Sequence, residues 1–269
     1  MASPSYEQIL SFGRVSRQLL DAAVDELMEY VYEGMTADEL LDAATLVAAK
    51  YSYLGCELGA QWYDLCSELA GIDADPAEYG DPNVDGIRAR AESRLDGAEP
   101  AEAARPVFNA FLQDVINDSI RMTGNANLHR DYERGICGGK WARVPVGDTC
   151  AWCLMLASQG AWYESERSAL NRGGIEGDHY HDGCDCKAVY HADAESIGGY
   201  SKLNDYKKMY YDAENKRLAA HDPSLDYEYP EELADRITAA KAQHEARSNE
   251  PWTQYNETLI VMRYEHGLK

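Results

Sequence analysis

The fold class is indicated most clearly by residues 36–69, TADELLDAATLVAAKYSYLGCELGAQWYDLCSEL. Thr36 and Glu39 form a Thr-x-x-Glu capping box, in which each side chain binds the other residue's backbone N–H at a helix start. Large apolar residues then recur every three or four positions, the spacing of one helix face. They are Leu40, Leu41, Ala44, Val47, Tyr51, Leu54, Leu58, Trp62, Leu65 and Leu69. The stretch therefore predicts one long amphipathic helix.

A second apolar stripe precedes this helix and ends at Gly34. Its members are Tyr6, Ile9, Leu10, Val15, Leu19, Leu20, Val24, Leu27, Met28 and Val31. Because only a short turn separates the two stripes, we expect an antiparallel helical hairpin. Aromatic residues at helical spacing are typical of core packing rather than of a ligand-stacking site.

The rest of the chain is also predominantly helical by pattern. Segment 71–86 is rich in Asp, Gly and Pro and is predicted to be a loop. Further helices are predicted over 87–95, from Pro100 or Pro106 to residue 124 or 132, over 200–221 and over 231–247. Segment 252–269 carries large apolar residues with little chain left to pack them, which predicts a docking tail.

Four cysteines and two histidines lie together between residues 141 and 190. Cys150 and Cys153 form a C-x-x-C pair beside Gly147 and Asp148, where a tight turn can aim both sulfurs at one point. An H-x-x-C-x-C group, His181, Cys184 and Cys186, follows roughly 27 residues later, as in paired zinc half-sites.

Thiolate and imidazole are the ligands of closed, tetrahedral zinc sites. The predicted ligands are Cys150, Cys153, His181 and one or both of Cys184 and Cys186, with His179 as a substitute. Cys184 and Cys186 are expected to share one face of a short strand over 184–190. The alternative is disulfides or plain buried thiols. The absence of a secretory leader in residues 1–20 favours metal, although the sequence does not distinguish zinc from iron.

A family resemblance rests on the same residues. The chain reads VINDSIRMTGNANLHRDYERGICGGKWARVPVGDTCAWC over 115–153, with HDGCDC over 181–186. This region resembles the minor head proteins of tailed phages related to phage Mu protein F, in which a helix precedes an x-K-x-W strand, a C-x-x-C and an H-x-x-C-x-C. Lys140 and Trp141 match the strand. His179-Tyr180 stands where the family often has Pro-Pro, and Asp185 where it has Arg.

These patterns predict a mainly α protein with a long helical hairpin and further helices, plus a small α+β zinc-stabilised insert. The predicted segments are the hairpin (1–70), an acidic loop with a short helix (71–99), the phage-like region (100–200) and C-terminal helices with a tail (201–269).

Composition narrows the possible partners. The net charge of −22 disfavours binding of nucleic-acid phosphates, which requires clustered Lys and Arg. No apolar run is long enough to span a bilayer, so a soluble protein is expected.

Zinc deaminases place H-x-E before P-C-x-x-C, which this chain lacks. Asp178-His179 and Glu164-Ser165-Glu166 only faintly match metal nucleases and ADP-ribosyltransferases, and no enzymatic activity is predicted.

The resemblance implies a structural protein of the virion. Such a protein lies inside the capsid near the portal, contacts the portal or major capsid protein and supports head assembly, with no direct binding of DNA or membrane. By this expectation the hairpin or the tail contacts the portal. The alternative is a cytosolic zinc-containing adaptor whose hairpin binds another protein.

Overall fold

The computed structural model describes residues 3–95, 104–136, 140–146, 150–160, 186–192, 202–247 and 251–268. These residues form mainly helices, with one two-stranded antiparallel sheet. The elements are α1 (Tyr6–Tyr30), α2 (Ala37–Ala70), α3 (Val84–Leu95), α4 (Ala104–Glu133), β1 (Lys140–Val144), α5 (Ala151–Ser158), β2 (Lys187–Ala192), α6 (Lys202–His221), α7 (Glu231–Arg247) and α8 (Gln254–His266).

The chain divides into two compact units. The first contains α1 to α4 with β1 and β2, and the second contains α5 to α8. The described residues of the 100–200 segment are therefore shared between the units, because α5 joins the C-terminal helices. The mainly α fold expected from the sequence is confirmed.

The predicted hairpin forms the centre of the first unit. Capping boxes at Ser5 and Thr36 start its two helices, and Gly71 ends α2 in the left-handed conformation. The helices run antiparallel, since Phe12 near the start of α1 stacks on Trp62 near the end of α2, at 4.3 Å between ring centroids. Helices α3 and α4 pack against the same α2, and strand β2 of the sheet contacts α1, α2 and α4.

Helix α2 crosses α4 at two glycines, Gly55 and Gly59, one helical turn apart. A Cβ atom at Gly59 would lie 2.4 Å from the backbone oxygen of Ile120, and one at Gly55 would lie 3.2 Å from the backbone oxygen of Ile116. The two backbones therefore approach too closely at Gly59 for any side chain.

We expect Gly59→Ala to destabilise the first unit by about 1–3 kcal/mol, because the clash with backbone exceeds the gain in helix propensity. Urea unfolding followed by circular dichroism measures the change. Gly55→Ala is the matched control and should cost less, since its closest contact is longer. A Gly59→Ala protein more stable than the wild type would show that the crossing relaxes freely.

Helix α4 continues without a break to Glu133. Of the two ends that the sequence left open, residue 124 or residue 132, the structure therefore has the later one. Gly124 lies inside it and makes room for a neighbour, because a Cβ there would lie 2.2 Å from the Tyr190 hydroxyl. Tyr190 belongs to β2 and donates a hydrogen bond to the backbone oxygen of Arg121 at 3.3 Å. The glycine thus permits the strand to dock on the helix.

The second unit corrects the prediction of a docking tail. Four consecutive residues of α8, Leu259 to Met262, are buried in the core of this unit. Their partners include Leu154 and Met155 of α5, about 100 residues earlier in the chain. The tail therefore completes a core. The prediction was wrong because no local pattern marks the short apolar run of α5 as the partner of α8.

Buried polar contacts fix the same helix in place. Glu257 of α8 accepts a hydrogen bond from the Tyr229 hydroxyl at 2.8 Å, and His221 Nε2 lies 2.8 Å from the same carboxylate oxygen. The adjacent Thr258 donates to Glu214 of α6 at 2.5 Å. Burial and then the bond to Glu257 raise the pKa of Tyr229, so this phenol stays a donor.

Candidate functional site

The C-x-x-C pair lies at the start of α5. Cys150 is the N-cap residue of this helix, and its sulfur accepts a hydrogen bond from the backbone N–H of Cys153 at 3.5 Å. Both cysteines therefore sit in the first helical turn, Cys150 partly exposed and Cys153 buried. Thiolate is the form of cysteine that binds metal, and a helix N-terminus favours negative charge. The structure therefore places the two cysteines of the C-x-x-C pair at the start of one helix.

The second half is described only in part. Cys186 is buried and directly precedes β2, which begins at Lys187. The sequence predicts this strand over 184–190, so Cys186 lies within the predicted strand but just before the observed one. His179, His181 and Cys184 lie outside the described residues. Cys186 belongs to the first unit, whereas Cys150 and Cys153 belong to the second.

The donor chemistry of the described residues fits half of a zinc site. The five described cysteines, Cys56 and Cys66 among them, are free thiols. Cys56 and Cys66 are buried, as expected for structural thiols, and burial raises the pKa of Cys66 to about 12. Within the described ranges, no group of three or more His, Cys, Asp or Glu side chains is arranged to hold a metal ion.

Strand β2, which follows the H-x-x-C-x-C group, is attached firmly to the helices. Trp62 Nε1 donates a hydrogen bond to the backbone oxygen of Ala188 at 2.6 Å. The Tyr63 hydroxyl lies 2.9 Å from His191 Nε2. With the bond from Tyr190 to α4, three contacts along β2 hold the strand. The chain that leaves Cys186 is therefore fixed relative to α2 and α4.

A buried polar network lies behind this attachment. The Tyr63 hydroxyl donates to Asp131 Oδ2 at 2.7 Å, and Arg130 forms an ion pair with the same carboxylate at 2.8 Å. Asp131 has no exposed surface and His191 is 1% exposed. Burial and then the bond to Asp131 raise the pKa of Tyr63. Since these atoms are closed to solvent, the network is a structural link between α2, α4 and β2.

His191 is locally strained in this arrangement. Its backbone has φ of 52°, the left-handed region that side chains other than glycine seldom adopt. Its Nδ1 atom is buried without a hydrogen-bond partner among the described residues. Burial lowers the pKa of His191, and the charge of Asp131 opposes this only in part. The imidazole is therefore neutral in the folded protein at pH 7.

This lowered pKa predicts a loss of stability in mild acid. Below the unfolded-state pKa of about 6.5 the unfolded chain binds a proton that the folded chain does not. The free energy of unfolding should therefore fall as pH drops from 6.5 to 5, by at most about 1.4 kcal/mol per pH unit for one group. Urea unfolding at several pH values measures it.

A matched pair of variants assigns this slope. His191→Asn keeps a residue that tolerates positive φ and should flatten the slope. His129→Asn changes an exposed histidine of α4 and is the matched control for the loss of one imidazole. Equal slopes in the wild type and His191→Asn would contradict the assignment to His191.

No sequence pattern indicated this network. Tyr63 is 68 residues from Asp131 and 128 from His191, so no local spacing connects them. A tyrosine on the apolar face of α2 is explained equally well by packing alone. The fold is what brings the three side chains together.

Comparison with known protein families identifies the family of this chain. The model of the VG15 protein family matches residues 7–213, about three quarters of the chain. This protein belongs to the VG15 family. The VG15 family is a viral protein family, so the chain is a viral protein. No curated protein and no solved structure matches it.

The VG15 match covers the described elements of the first unit from residue 7 onward together with α5, and it ends within α6. It therefore includes every residue of the candidate metal site. Helices α7 and α8 of this VG15 protein lie beyond the matched region. None of the described helices is long and apolar enough to cross a membrane.

Proposed function

We propose that this VG15 protein is a minor head protein of a tailed phage that supports head assembly from inside the capsid near the portal. The observation that carries the proposal is the overlap of two sequence similarities. The VG15 match over 7–213 contains the whole of residues 115–190, where the chain resembles the head proteins related to phage Mu protein F. A viral family and a head-protein motif thus fall on the same residues.

The charge of the chain supports a position inside a DNA-filled head. A net charge of −22 repels phosphate, so the protein can lie beside packaged DNA without binding it. Its role is structural rather than catalytic, and its partners are the portal protein or the major capsid protein. Since α8 is core, the hairpin becomes the proposed portal-contacting element, where Leu46 and Tyr53 of α2 are more than half exposed.

We propose further that a structural zinc ion stabilises the protein. Cys150 and Cys153 would supply two thiolates, and His181 with Cys184 or Cys186 would supply the others. A closed zinc site contributes folding free energy by cross-linking its ligands, and no chemistry beyond this cross-link is required of it.

The test of the head assignment is to isolate heads of the phage that encodes this chain and to analyse them by mass spectrometry. The protein should be present in DNA-filled heads and should copurify with the portal protein when the two are coexpressed. Absence from heads, together with copurification of a host protein, would instead favour the adaptor. Nuclease and NAD-consumption assays on the purified protein test the proposed absence of catalysis.

A further inference from the structure

A cleft in the first unit belongs neither to the cysteine region nor to the buried network. It has a volume of about 440 Å³ and lies between segment 78–83, α3 and α4, with part of α2 behind it. Pockets that bind small molecules in proteins are typically about 300–1,000 Å³. The cleft is therefore large enough to take two or three side chains of a partner.

The wall formed by the α2–α3 loop is held by specific hydrogen bonds. Asn127 of α4 accepts from the backbone N–H of Glu78 at 2.8 Å and donates to the backbone oxygen of Glu78 at 2.9 Å. Arg130 donates to the backbone oxygens of Asp75 and Pro76. Because these bonds fix the loop, the cleft is formed before any partner binds.

The cleft has an apolar mouth and a partly apolar floor. Tyr79 and Met122 both line the cleft and are 66% and 63% exposed, so a partner could cover their apolar surface. Ile87 and Val115 lie buried within it. A large apolar side chain of a partner would thus cover Tyr79 and Met122 and gain contact with the floor.

The charges around the cleft leave one carboxylate available. Three carboxylates and two guanidinium groups line the cleft. Arg90 pairs with Asp118, and Arg130 pairs with the buried Asp131 and with Glu78. Asp81 is exposed and forms neither an ion pair nor a hydrogen bond with any residue in the described part of the chain. The cleft therefore offers an exposed carboxylate without an ion pair beside an apolar surface.

We propose that this cleft binds a segment of another protein that carries a Lys or Arg next to a large apolar side chain. The basic group would pair with Asp81, and the apolar group would pack between Tyr79 and Met122. A second copy of this chain fits poorly, because two molecules of charge −22 repel each other, and phosphate groups are repelled likewise. The inference goes beyond the head assignment and does not depend on it.

The test uses the full chain and a synthetic nonapeptide with the central sequence Trp-Arg-Leu flanked by Gly and Ser. With methionines labelled by ¹³C at the methyl group, the Met122 signal, assigned from a Met122→Leu variant, should shift saturably on titration. The buried Met262 signal of the second unit should stay in place. A peptide with Glu in place of Arg, and one with Ser in place of Trp and Leu, should each bind more weakly.

Two pairs of variants separate the cleft from general attraction to an acidic protein. Asp81→Asn should weaken binding about threefold to fivefold, as expected for one exposed ion pair, while Asp73→Asn, outside the cleft, should not. Tyr79→Ala should weaken peptide binding about fivefold to tenfold. Tyr53→Ala should not weaken it, because Tyr53 is also exposed but lies on α2 outside the cleft.

All four changes are at exposed or half-exposed positions, and thermal unfolding checks that each variant is folded. An unmoved Met122 signal would overturn the proposal. Equal weakening by Asp81→Asn and Asp73→Asn would also overturn it, because binding would then depend only on net charge.

Discussion

Truncation of the chain before Pro251 is expected to unfold the α5–α8 unit and to leave the α1–α4 unit folded. The deletion removes Leu259, Ile260, Val261 and Met262, which are all buried. Loss of one large buried side chain costs about 2–5 kcal/mol. Four such losses reach the whole free energy of unfolding of a typical domain, about 5–15 kcal/mol. The tail deletion should therefore abolish this core.

Hydrogen exchange read by mass spectrometry tests this expectation on the truncated protein. Amides of α6 should lose their protection, whereas those of α2 and α4 should keep theirs. A milder pair of full-length variants provides the control. Met262→Ala, at a fully buried position, should destabilise the second unit by about 2–5 kcal/mol, and Tyr255→Ala, at an exposed position of the same helix, should have little effect. Unchanged protection of α6 after truncation would show that α8 is not part of the core.

Removal of metal is the second change with a large expected effect. If the chain binds one zinc ion, elemental analysis of the purified protein gives one zinc per chain. Zinc contributes about 10–16 kcal/mol in zinc-finger peptides at pH 7. Even a fraction of this free energy is large on the scale of local stability, so a chelator should lower hydrogen-exchange protection within residues 141–190. The helices α1, α2 and α4 should stay protected, since none of the proposed ligands lies on them.

A variant without the first half-site distinguishes a zinc site from a pair of disulfides. Cys150→Ser with Cys153→Ser removes two proposed ligands, so the variant should contain less zinc and should show no further change with chelator. Cys66→Ser alters a buried thiol outside the region and should retain its zinc. If reductant rather than chelator loosens residues 141–190, the cysteines form disulfides and the zinc proposal fails.

The sequence predicted those elements whose own residues specify them. The capping box at Thr36 and the stripe of α2 define one helix without help from the rest of the chain, and the structure has it at Ala37–Ala70. The cysteine pair at the start of α5 is equally local. Gly124 is the opposite case, because a glycine inside α4 has a reason only once Tyr190 of β2 lies against it.

Long-range partners account for what the sequence did not reveal. The apolar residues of α8 looked unpartnered because their neighbours in α5 are about 100 residues away. The buried contacts of Tyr63 were invisible for the same reason. A carboxylate such as Asp131 reads as a surface charge until the fold encloses it with Tyr63 and Arg130.

The order in which the chain visits its two units bears on how it folds during synthesis. The chain completes β1 in the first unit, forms α5 in the second, returns to the first for β2 and then enters the second again at α6. Among the described strands, β1 pairs with β2, so this sheet is complete once residue 192 has been made, and the core around α5 is complete once Met262 has been made. Each unit is therefore formed by two separate stretches of the chain. During synthesis, about 100 further residues are added before the apolar residues of α5 can pack against α8. In that interval these residues are available for binding to a chaperone or to an early-bound partner protein.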